Sequence, residues 1–348
     1  MGLNLEAMKE AKLRLDRLIK PVGSLGTLEE IAIKFAGITG RVNNKIDKKG
    51  IVIFSSDNGV CEEGVASAPQ TVTAMQTINF LRGITGIGVL ARVNNCDLKV
   101  IDIGIKEDIN YPGLIIKKIR KGTSNMTKGE AMTREEAERA INVGIDMVRK
   151  CKEEGYDIIG TGEMGIGNTT SSSSVLIALT GCSIDEAVGR GAGLHDDEFS
   201  HKKKVINRIL EVNNPKGEDP LDILHKVGGF DIAGMVGLYL GAKKYNMPIV
   251  IDGFISAVAA LLAYRIDSEV RDYMFPSHIS SELGYNLAMK ELGLNPILNL
   301  SMRLGEGSGC PFAMHIIENS LAIINEMGTF EEGNVDIKNY EHYWREEA

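Results

Sequence analysis

The sequence has few cysteines and none of the cysteine spacings that bind zinc or build a disulfide framework. Its five cysteines are scattered along 348 residues, are odd in number and form no C-x-x-C pair. This pattern predicts a protein of a reducing compartment, without a disulfide framework or a zinc site.

Long apolar runs and a surplus of positive charge are also missing. The longest apolar run, FISAVAALLAY at 254–264, is far too short to span a bilayer. The charged, amphipathic start, MGLNLEAMKEAKLRLDRLIKP, does not resemble a signal peptide. The net charge is −8, whereas nucleic-acid-binding proteins usually present a basic face. These absences predict a cytoplasmic protein that binds neither membrane nor nucleic acid and holds any anionic substrate by local devices.

Short apolar runs alternate with helical patterns along the middle of the chain. The apolar runs, which fit buried parallel strands, lie at 50–56, 98–105, 156–162 and 247–255. The helical patterns between them lie at 72–91, 133–154, 171–179 and 231–245. This alternation predicts an α/β fold, doubly wound and Rossmann-like, with a mostly parallel sheet and helices on both faces.

Helical patterns also occupy both chain ends. Residues 5–19 show helical spacing, and the segment after Pro296 returns to helix in FAMHIIENSLAIINEMGTF. We therefore expect a large α/β catalytic domain at 40–300 and a small helical domain formed by residues 1–39 and 301–348.

The strands end in polar or glycine-rich turns, namely SSDNG, DIG, GTGEMG and DGF. Because ligands of open α/β sheets bind beyond the carboxyl ends of the strands, these turns should surround one pocket. Asp57 and Asp252 each follow a strand, and either one is a ligand contact or a cap on neighbouring N–H groups.

The stretch YDIIGTGEMGIGNTT at 156–170 reads as strand, glycine turn and helix N-terminus, which is a common phosphate-binding arrangement. GTGEMG also fits the G-x-G-x-x-G spacing of dinucleotide sites, although only loosely. A Walker loop would need lysine after Gly167, where Asn168 stands instead, so ATP hydrolysis is disfavoured. The alternative is that the glycines only let the strand and helix pack closely.

Two further stretches carry candidate residues. In RLGEGSG, Glu306 lies between glycines that would expose its carboxylate to a ligand, unless the stretch is a surface turn. In GLHDDEFSHKKK, the spacing of His195 and His201 matches no metal-binding pattern on one helix face, so we expect no metal. The lysines at 202–204 form a solvated face, or one of them reaches a phosphate.

Eight stretches together resemble the nicotinate-nucleotide–dimethylbenzimidazole phosphoribosyltransferases, enzymes of cobalamin nucleotide-loop assembly. They follow one another in the family's order at 18–32, 55–91, 100–105, 162–170, 226–242, 248–261, 276–284 and 302–309. The resemblance implies that nicotinate mononucleotide and 5,6-dimethylbenzimidazole give α-ribazole 5′-phosphate and nicotinate. It also implies a homodimer. We expect no cofactor, because the spacing around His195 and His201 matches no ligand pattern.

The same resemblance implies roles for individual residues. Glu306 would be the general base, and Glu163 would stabilise the cation-like sugar. Residues at the phosphate and nucleotide would be Gly165, Ile166, Gly167, Asn168, Thr169, Thr170, Lys202, Asp252 and Arg303. Residues around the acceptor base would be Ala68, Gln76, Met164 and Leu304.

The sequence departs from the family pattern at three positions. Asn58 stands where many members have histidine, and Val22 replaces the second proline of a usual Lys-Pro-Pro. Ala68 stands where some members place serine in the base pocket, so the acceptor could be another benzimidazole, adenine or a phenolic. An NAD-dependent oxidoreductase and a non-catalytic nucleotide-binding regulator are the alternative functions.

Overall fold

The computed structural model describes residues 2–191 and 193–336. Within these ranges the chain forms one parallel sheet with the strand order β3-β2-β1-β4-β5-β6. The strands are β1 Lys49–Ser56, β2 Cys96–Gly104, β3 Ile115–Ile116, β4 Ile158–Met164, β5 Ile249–Ile251 and β6 Met274–Pro276. This confirms the doubly wound α/β fold, whose order reverses between β1 and β4.

The helices complete the layers of the fold. In the described residues they are α1 Leu5–Asp16, α2 Thr27–Thr39, α3 Val72–Arg82, α4 Gly86–Val93, α5 Arg134–Glu153, α6 Asn168–Thr180, α7 Ile184–Ala187, α8 Asp196–Asn213, α9 Pro220–Val227, α10 Phe230–Lys244, α11 Phe254–Ile266, α12 Leu283–Leu292 and α13 Cys310–Glu326. Two 3₁₀ helices cover Gly59–Glu63 and Ser268–Tyr273. None of these helices has both the length and the apolar character needed to cross a membrane.

The apolar composition of the central strands explains their position. Every residue of β1, KGIVIFSS, is buried, as expected of a parallel strand covered by helices on both faces. Helix α10 is also buried along almost its whole length and packs against α5. The main hydrophobic core is therefore continuous through the sheet.

Two expected elements differ from the observed ones. The single helix expected at 72–91 is two helices, because Gly83 adopts a left-handed φ of 69° and ends α3. Thr85 then starts α4 by accepting a 3.0 Å hydrogen bond from the N–H of Gly88. The strand expected at 247–255 covers only β5, because α11 begins at Phe254.

Helices from both chain ends pack together beside the sheet. A second hydrophobic cluster joins α1, α2 and α13 through Ala7, Ala11, Leu15, Leu18, Ala32, Ala36 and Ile324. Phe35 of α2 and Met314 of α13 also belong to the main core. The division into a large and a small domain stays a prediction, and residues 337–348 of the expected small domain lie outside the described residues.

Candidate active site

A cavity of about 380 Å³ lies beyond the carboxyl ends of β4, β5 and β6. Its wall includes every site residue expected from the sequence except Thr170. Thr170 lies behind this wall, fully buried in the first turn of α6. The other expected residues are thus brought together from distant parts of the chain.

The glycine loop after β4 presents the N-terminus of α6 to the cavity. Gly167 precedes the helix with a φ of 90°, and a Cβ at this position would lie 2.8 Å from Sγ of Cys61. Three N–H groups of the loop already have acceptors, namely Ile166 on Thr73 Oγ1 (3.2 Å), Asn168 on Gly165 O (3.0 Å) and Thr170 on Gly167 O (2.9 Å). The N–H groups of Gly167 and Thr169 have no acceptor in the described part of the chain. These two N–H groups therefore remain for an anion.

Lys202 is the lysine of the 202–204 run that faces the cavity. Its Nζ donates hydrogen bonds to Thr169 Oγ1 at 2.9 Å and to Gly189 O at 3.3 Å. Burial lowers the pKa of Lys202 to about 8. Lys203 instead pairs with Asp185 at 2.6 Å, and Lys204 is exposed. The charge next to the α6 N-terminus therefore comes from one buried ammonium group.

Glu163 is the second-to-last residue of β4 and lies in the cavity wall next to the glycine loop. Its Oε2 accepts a hydrogen bond from Nδ2 of Asn168, and that same Nδ2 donates to Oδ2 of Asp231 at 2.9 Å. Burial, together with the charge of Asp231, raises the pKa of Glu163 to about 8. Burial also raises the pKa of Asp231 to about 6. A positive charge placed in the cavity would therefore favour ionisation of Glu163.

Glu306 lies in a loop with unusual backbone geometry. Gly305, Glu306 and Gly307 all have left-handed conformations, with φ values of 78°, 65° and 91°. Such a conformation costs a residue with a side chain about 1–2 kcal/mol, so other contacts must hold the loop in place. Asp252 supplies them, because its carboxylate accepts from the N–H groups of Gly307 (2.9 Å) and Gly309 (2.7 Å).

Asp252 is therefore a cap on the Glu306 loop, which is one of the two roles that the sequence left open. Asp252 directly follows β5 and is almost fully buried. Burial raises the pKa of its carboxyl group to about 7. Asp57, the other carboxylate with two possible roles, accepts from the N–H of Lys106 at 2.8 Å and lies outside the cavity wall.

The carboxylate of Glu306 lies in the cavity wall and is held by two hydrogen bonds. Oε1 accepts a 2.7 Å hydrogen bond from Nε2 of Gln76, and Oε2 accepts a 3.4 Å bond from the N–H of Ile87. Burial raises the pKa of Glu306, whereas these two hydrogen bonds oppose that rise. Ile87 belongs to the first turn of α4, whose positive end also favours the anion.

Apolar side chains line the same cavity as this carboxylate. Ala68, Met164 and Leu304 line the cavity with Gln76. Leu304 packs so closely on α4 that a Cβ at Gly86 would lie 2.5 Å from its Cδ2. These residues place one amide and one carboxylate among apolar groups, a combination typical of sites for small organic ligands.

Sequence reasoning missed six polar residues of the wall, namely Ser67, Arg190, Ser256, His278, Ser280 and Glu282. Three of them belong to PSHISSELG, a stretch that carries the resemblance, but no spacing within it singles out a residue. Arg190 is outside any such stretch and pairs with Asp196 at 2.6 Å.

The histidines considered for metal binding have other contacts. Nε2 of His201 lies 2.6 Å from the carbonyl oxygen of Glu63. The backbone N–H of His195 donates to the side chain of Glu198 at the start of α8. Across residues 2–191 and 193–336, no group of three or more His, Cys, Asp or Glu side chains is placed to hold a metal ion. All five cysteines are free thiols.

The chain is similar to known proteins along nearly its whole length. A phosphoribosyltransferase family model matches residues 2–335. Nicotinate-nucleotide–dimethylbenzimidazole phosphoribosyltransferases from Clostridium perfringens and Clostridium acetobutylicum are 54% and 52% identical to it, each over 335 residues. The matches cover 96% of this chain, with 93% of the first relative and 95% of the second.

A solved structure has the same fold. The crystal structure of CobT from Thermus thermophilus superposes with a TM-score of 0.90 and is 37% identical in sequence. The match covers 95% of this chain and 99% of that one.

Proposed function

The chain belongs to the nicotinate-nucleotide–dimethylbenzimidazole phosphoribosyltransferase family, and from this membership we propose the reaction that it catalyses. The enzyme transfers the 5-phosphoribosyl group of nicotinate mononucleotide to 5,6-dimethylbenzimidazole. A bond forms between a ring nitrogen of the base and C1 of the ribose, while the bond from C1 to the nicotinate nitrogen breaks. The electron pair of the broken bond neutralises the pyridinium ring, and nicotinate leaves.

One observation carries the assignment of the two glutamates. Glu306 is hydrogen-bonded to Gln76, a residue expected at the acceptor base, whereas Glu163 is hydrogen-bonded to Asn168, which follows the glycine loop after β4. The N–H of Glu306 also donates to Oε1 of Glu163 at 3.4 Å, so the two residues are direct neighbours in the cavity wall. We therefore place the acceptor base beside Glu306 and the sugar beside Glu163.

Glu306 is the general base in this proposal. When one benzimidazole nitrogen attacks C1, the other nitrogen still carries a proton that must leave. A carboxylate accepts that proton, and general-base help contributes about 10²–10⁴ in rate. Burial raises the pKa of Glu306, which makes it a stronger base than a solvated carboxylate.

Glu163 stabilises positive charge in this proposal. The nucleotide brings a pyridinium cation, and the departing nicotinate leaves a cation-like sugar. Both charges favour the ionised form of Glu163, although burial holds its pKa at about 8 in the ligand-free protein. Attack from the face opposite the nicotinate converts a β-riboside into an α-riboside.

The N-terminus of α6 and Lys202 hold the 5′-phosphate. The N–H groups of Gly167 and Thr169 point to this role, because they lack acceptors in the described chain and lie at the positive end of a helix. Arg303 is exposed at the cavity rim and adds positive charge on the nucleotide side.

Acceptor choice, oligomeric state and location follow from the resemblance. Ala68 leaves room in the base pocket, so other benzimidazoles, adenine and phenolics belong in the acceptor panel. We expect a homodimer in the cytoplasm, since the family is homodimeric and the five free thiols suit a reducing compartment.

A direct assay tests the reaction. The protein is incubated with nicotinate mononucleotide, with and without dimethylbenzimidazole, and nicotinate and riboside phosphate are quantified. Nicotinate release that depends on the acceptor supports the transferase. Binding of the nucleotide without release, for every acceptor of the panel, would refute the proposed reaction.

A further inference from the structure

His278 lies in the cavity wall and has no part in the reaction described above. It follows β6, its side chain is 1% exposed, and it lines the cavity. Its Nδ1 lies 3.0 Å from Oγ of Ser277, and this hydroxyl donates to the carbonyl oxygen of Asp252 at 3.1 Å. The two contacts determine which ring nitrogen carries the proton.

The serine hydroxyl has a single hydrogen, and the carbonyl of Asp252 can only accept. When the hydroxyl hydrogen goes to that carbonyl, Ser277 presents lone pairs to the ring, so Nδ1 of His278 must be the donor. The opposite arrangement would leave the hydroxyl and carbonyl oxygens facing each other without a hydrogen between them. The Nδ1–H tautomer satisfies both contacts and leaves a lone pair on Nε2.

Nε2 is the ring nitrogen of His278 that remains without a hydrogen-bond partner within the described residues. The surrounding protein does not enclose this atom completely. Burial lowers the pKa of His278, which keeps the ring neutral near pH 7. A neutral ring with its proton on Nδ1 can accept a hydrogen bond at Nε2 but cannot donate one there.

The position of His278 points to the sugar. Next to it, Ser277 contacts Asp252, which holds the loop of Glu306. Four residues further on, Glu282 lies so close to Gly189 that a Cβ there would be 1.9 Å from Oε2 of Glu282. Gly189 in turn accepts from Lys202 at 3.3 Å. Segment 278–282 therefore runs between the two ends of the cavity.

We propose that His278 is a ribose-binding residue, whose Nε2 accepts a hydrogen bond from the 2′- or 3′-hydroxyl group of the nucleotide. The inference rests on the proposed function, because it takes a ribose phosphate as the ligand. The ring of a ribose 5-phosphate separates C1 from the phosphate, so its hydroxyl groups fall between Glu306 and Lys202. A phosphate oxygen cannot be the partner, since it also only accepts.

Two substitutions separate the two ring nitrogens. His278→Asn retains an amide donor near the position of Nδ1 and removes the acceptor at Nε2. His278→Gln places an amide oxygen near the position of Nε2. Calorimetry measures the dissociation constants of nicotinate mononucleotide and of its 2′-deoxy and 3′-deoxy analogues for the parent and both variants.

We expect one of the deoxy analogues to bind the parent about 3–30-fold more weakly than the full nucleotide. His278→Asn should weaken binding of the full nucleotide by a similar factor and should no longer distinguish that analogue. His278→Gln should retain most of the affinity. If His278→Asn binds the full nucleotide like the parent, or remains as sensitive to both analogues, the proposal is wrong.

A measurement on the parent protein does not depend on folding of the variants. Nitrogen-15 NMR should show Nε2 of His278 unprotonated and its resonance shifted on addition of nicotinate mononucleotide, whereas a protonated Nε2 would overturn the inference. Because these experiments follow binding, a protein that binds the nucleotide but transfers no ribose would refute the proposed reaction alone.

Discussion

Gln76 and Glu306 are joined by a hydrogen bond of 2.7 Å, although 230 residues separate them in the chain. The amide donates to the carboxylate and so favours its ionised form. The other carboxylate oxygen faces the first turn of α4. Glu306 is therefore a buried carboxylate whose proton affinity depends on the side-chain amide of Gln76 and on the N–H of Ile87.

Gln76→Leu should move the pH dependence of the reaction. Loss of the hydrogen bond raises the pKa of Glu306, and only the ionised form can accept a proton. The acid limb of kcat should therefore shift to higher pH, by about one to two units for a hydrogen bond to a charged group. Met75→Leu is the control, because Met75 precedes Gln76 on α3, is 61% exposed and does not line the cavity. A coincident shift in both variants would contradict this role.

Glu306→Gln tests the base itself. The amide keeps the size of the side chain but cannot accept the proton, so kcat should fall by about 10²–10⁴. This corresponds to about 3–5 kcal/mol of transition-state stabilisation. The affinity for nicotinate mononucleotide should change little, and an acceptor with a more acidic N–H should lose less rate. A variant within a few-fold of the parent would transfer the role of base to Glu163.

Lys202→Met should weaken binding of the nucleotide far more than binding of the acceptor base. Loss of a charged hydrogen bond to phosphate corresponds to about 1.5–3 kcal/mol, or about 10–150-fold in KM for the nucleotide. Lys203→Met is the matched control, because the neighbouring lysine pairs with Asp185 and does not line the cavity. The measurement is steady-state kinetics with each substrate varied in turn. An equal rise in the KM for the nucleotide in both variants would argue against a phosphate contact of Lys202.

The free energy of unfolding should fall as the pH rises, because of Glu163. Its pKa is about 8 in the folded, ligand-free protein and near 4.5 when unfolded, so the unfolded state releases the proton first. The contribution of this group is complete below about pH 4.5 and is lost as the pH rises towards 8. Between these values the slope reaches about 1.4 kcal/mol per pH unit.

Glu163→Gln should therefore flatten the dependence of the free energy of unfolding on pH. Urea denaturation at pH 5, 6, 7 and 8 compares the two proteins without substrate. Asp252, whose pKa is raised to about 7, contributes with the same sign in both, so some slope should persist in the variant. Parallel curves for parent and variant would show that Glu163 is ionised in the empty cavity.

The sequence allowed prediction of features that depend on local pattern. The apolar run of β1 marks a buried parallel strand, and the glycines before Asn168 mark the turn into α6. The two-residue strand β3 and the three-residue strand β6 were missed, because segments so short carry no periodicity.

Long-range hydrogen bonds decide the remainder of the site. Asp252 caps N–H groups that lie 55 and 57 residues away, and no motif predicts that pairing. The tautomer of His278 depends on the single hydrogen of Ser277, which is a property of the folded contacts and not of spacing. Such relationships arise only when the strand ends are brought together.

Because Glu306 has a left-handed backbone, the substitutions that would stabilise the loop are also ones that would remove its carboxylate. Glycine and asparagine adopt a φ of 65° at lower cost than glutamate, and neither would bury a carboxylate. A library screened only for survival at high temperature should therefore accumulate Gly or Asn at position 306 and lose activity. Directed evolution of a thermostable variant of this enzyme therefore requires a screen that measures product formation at every round.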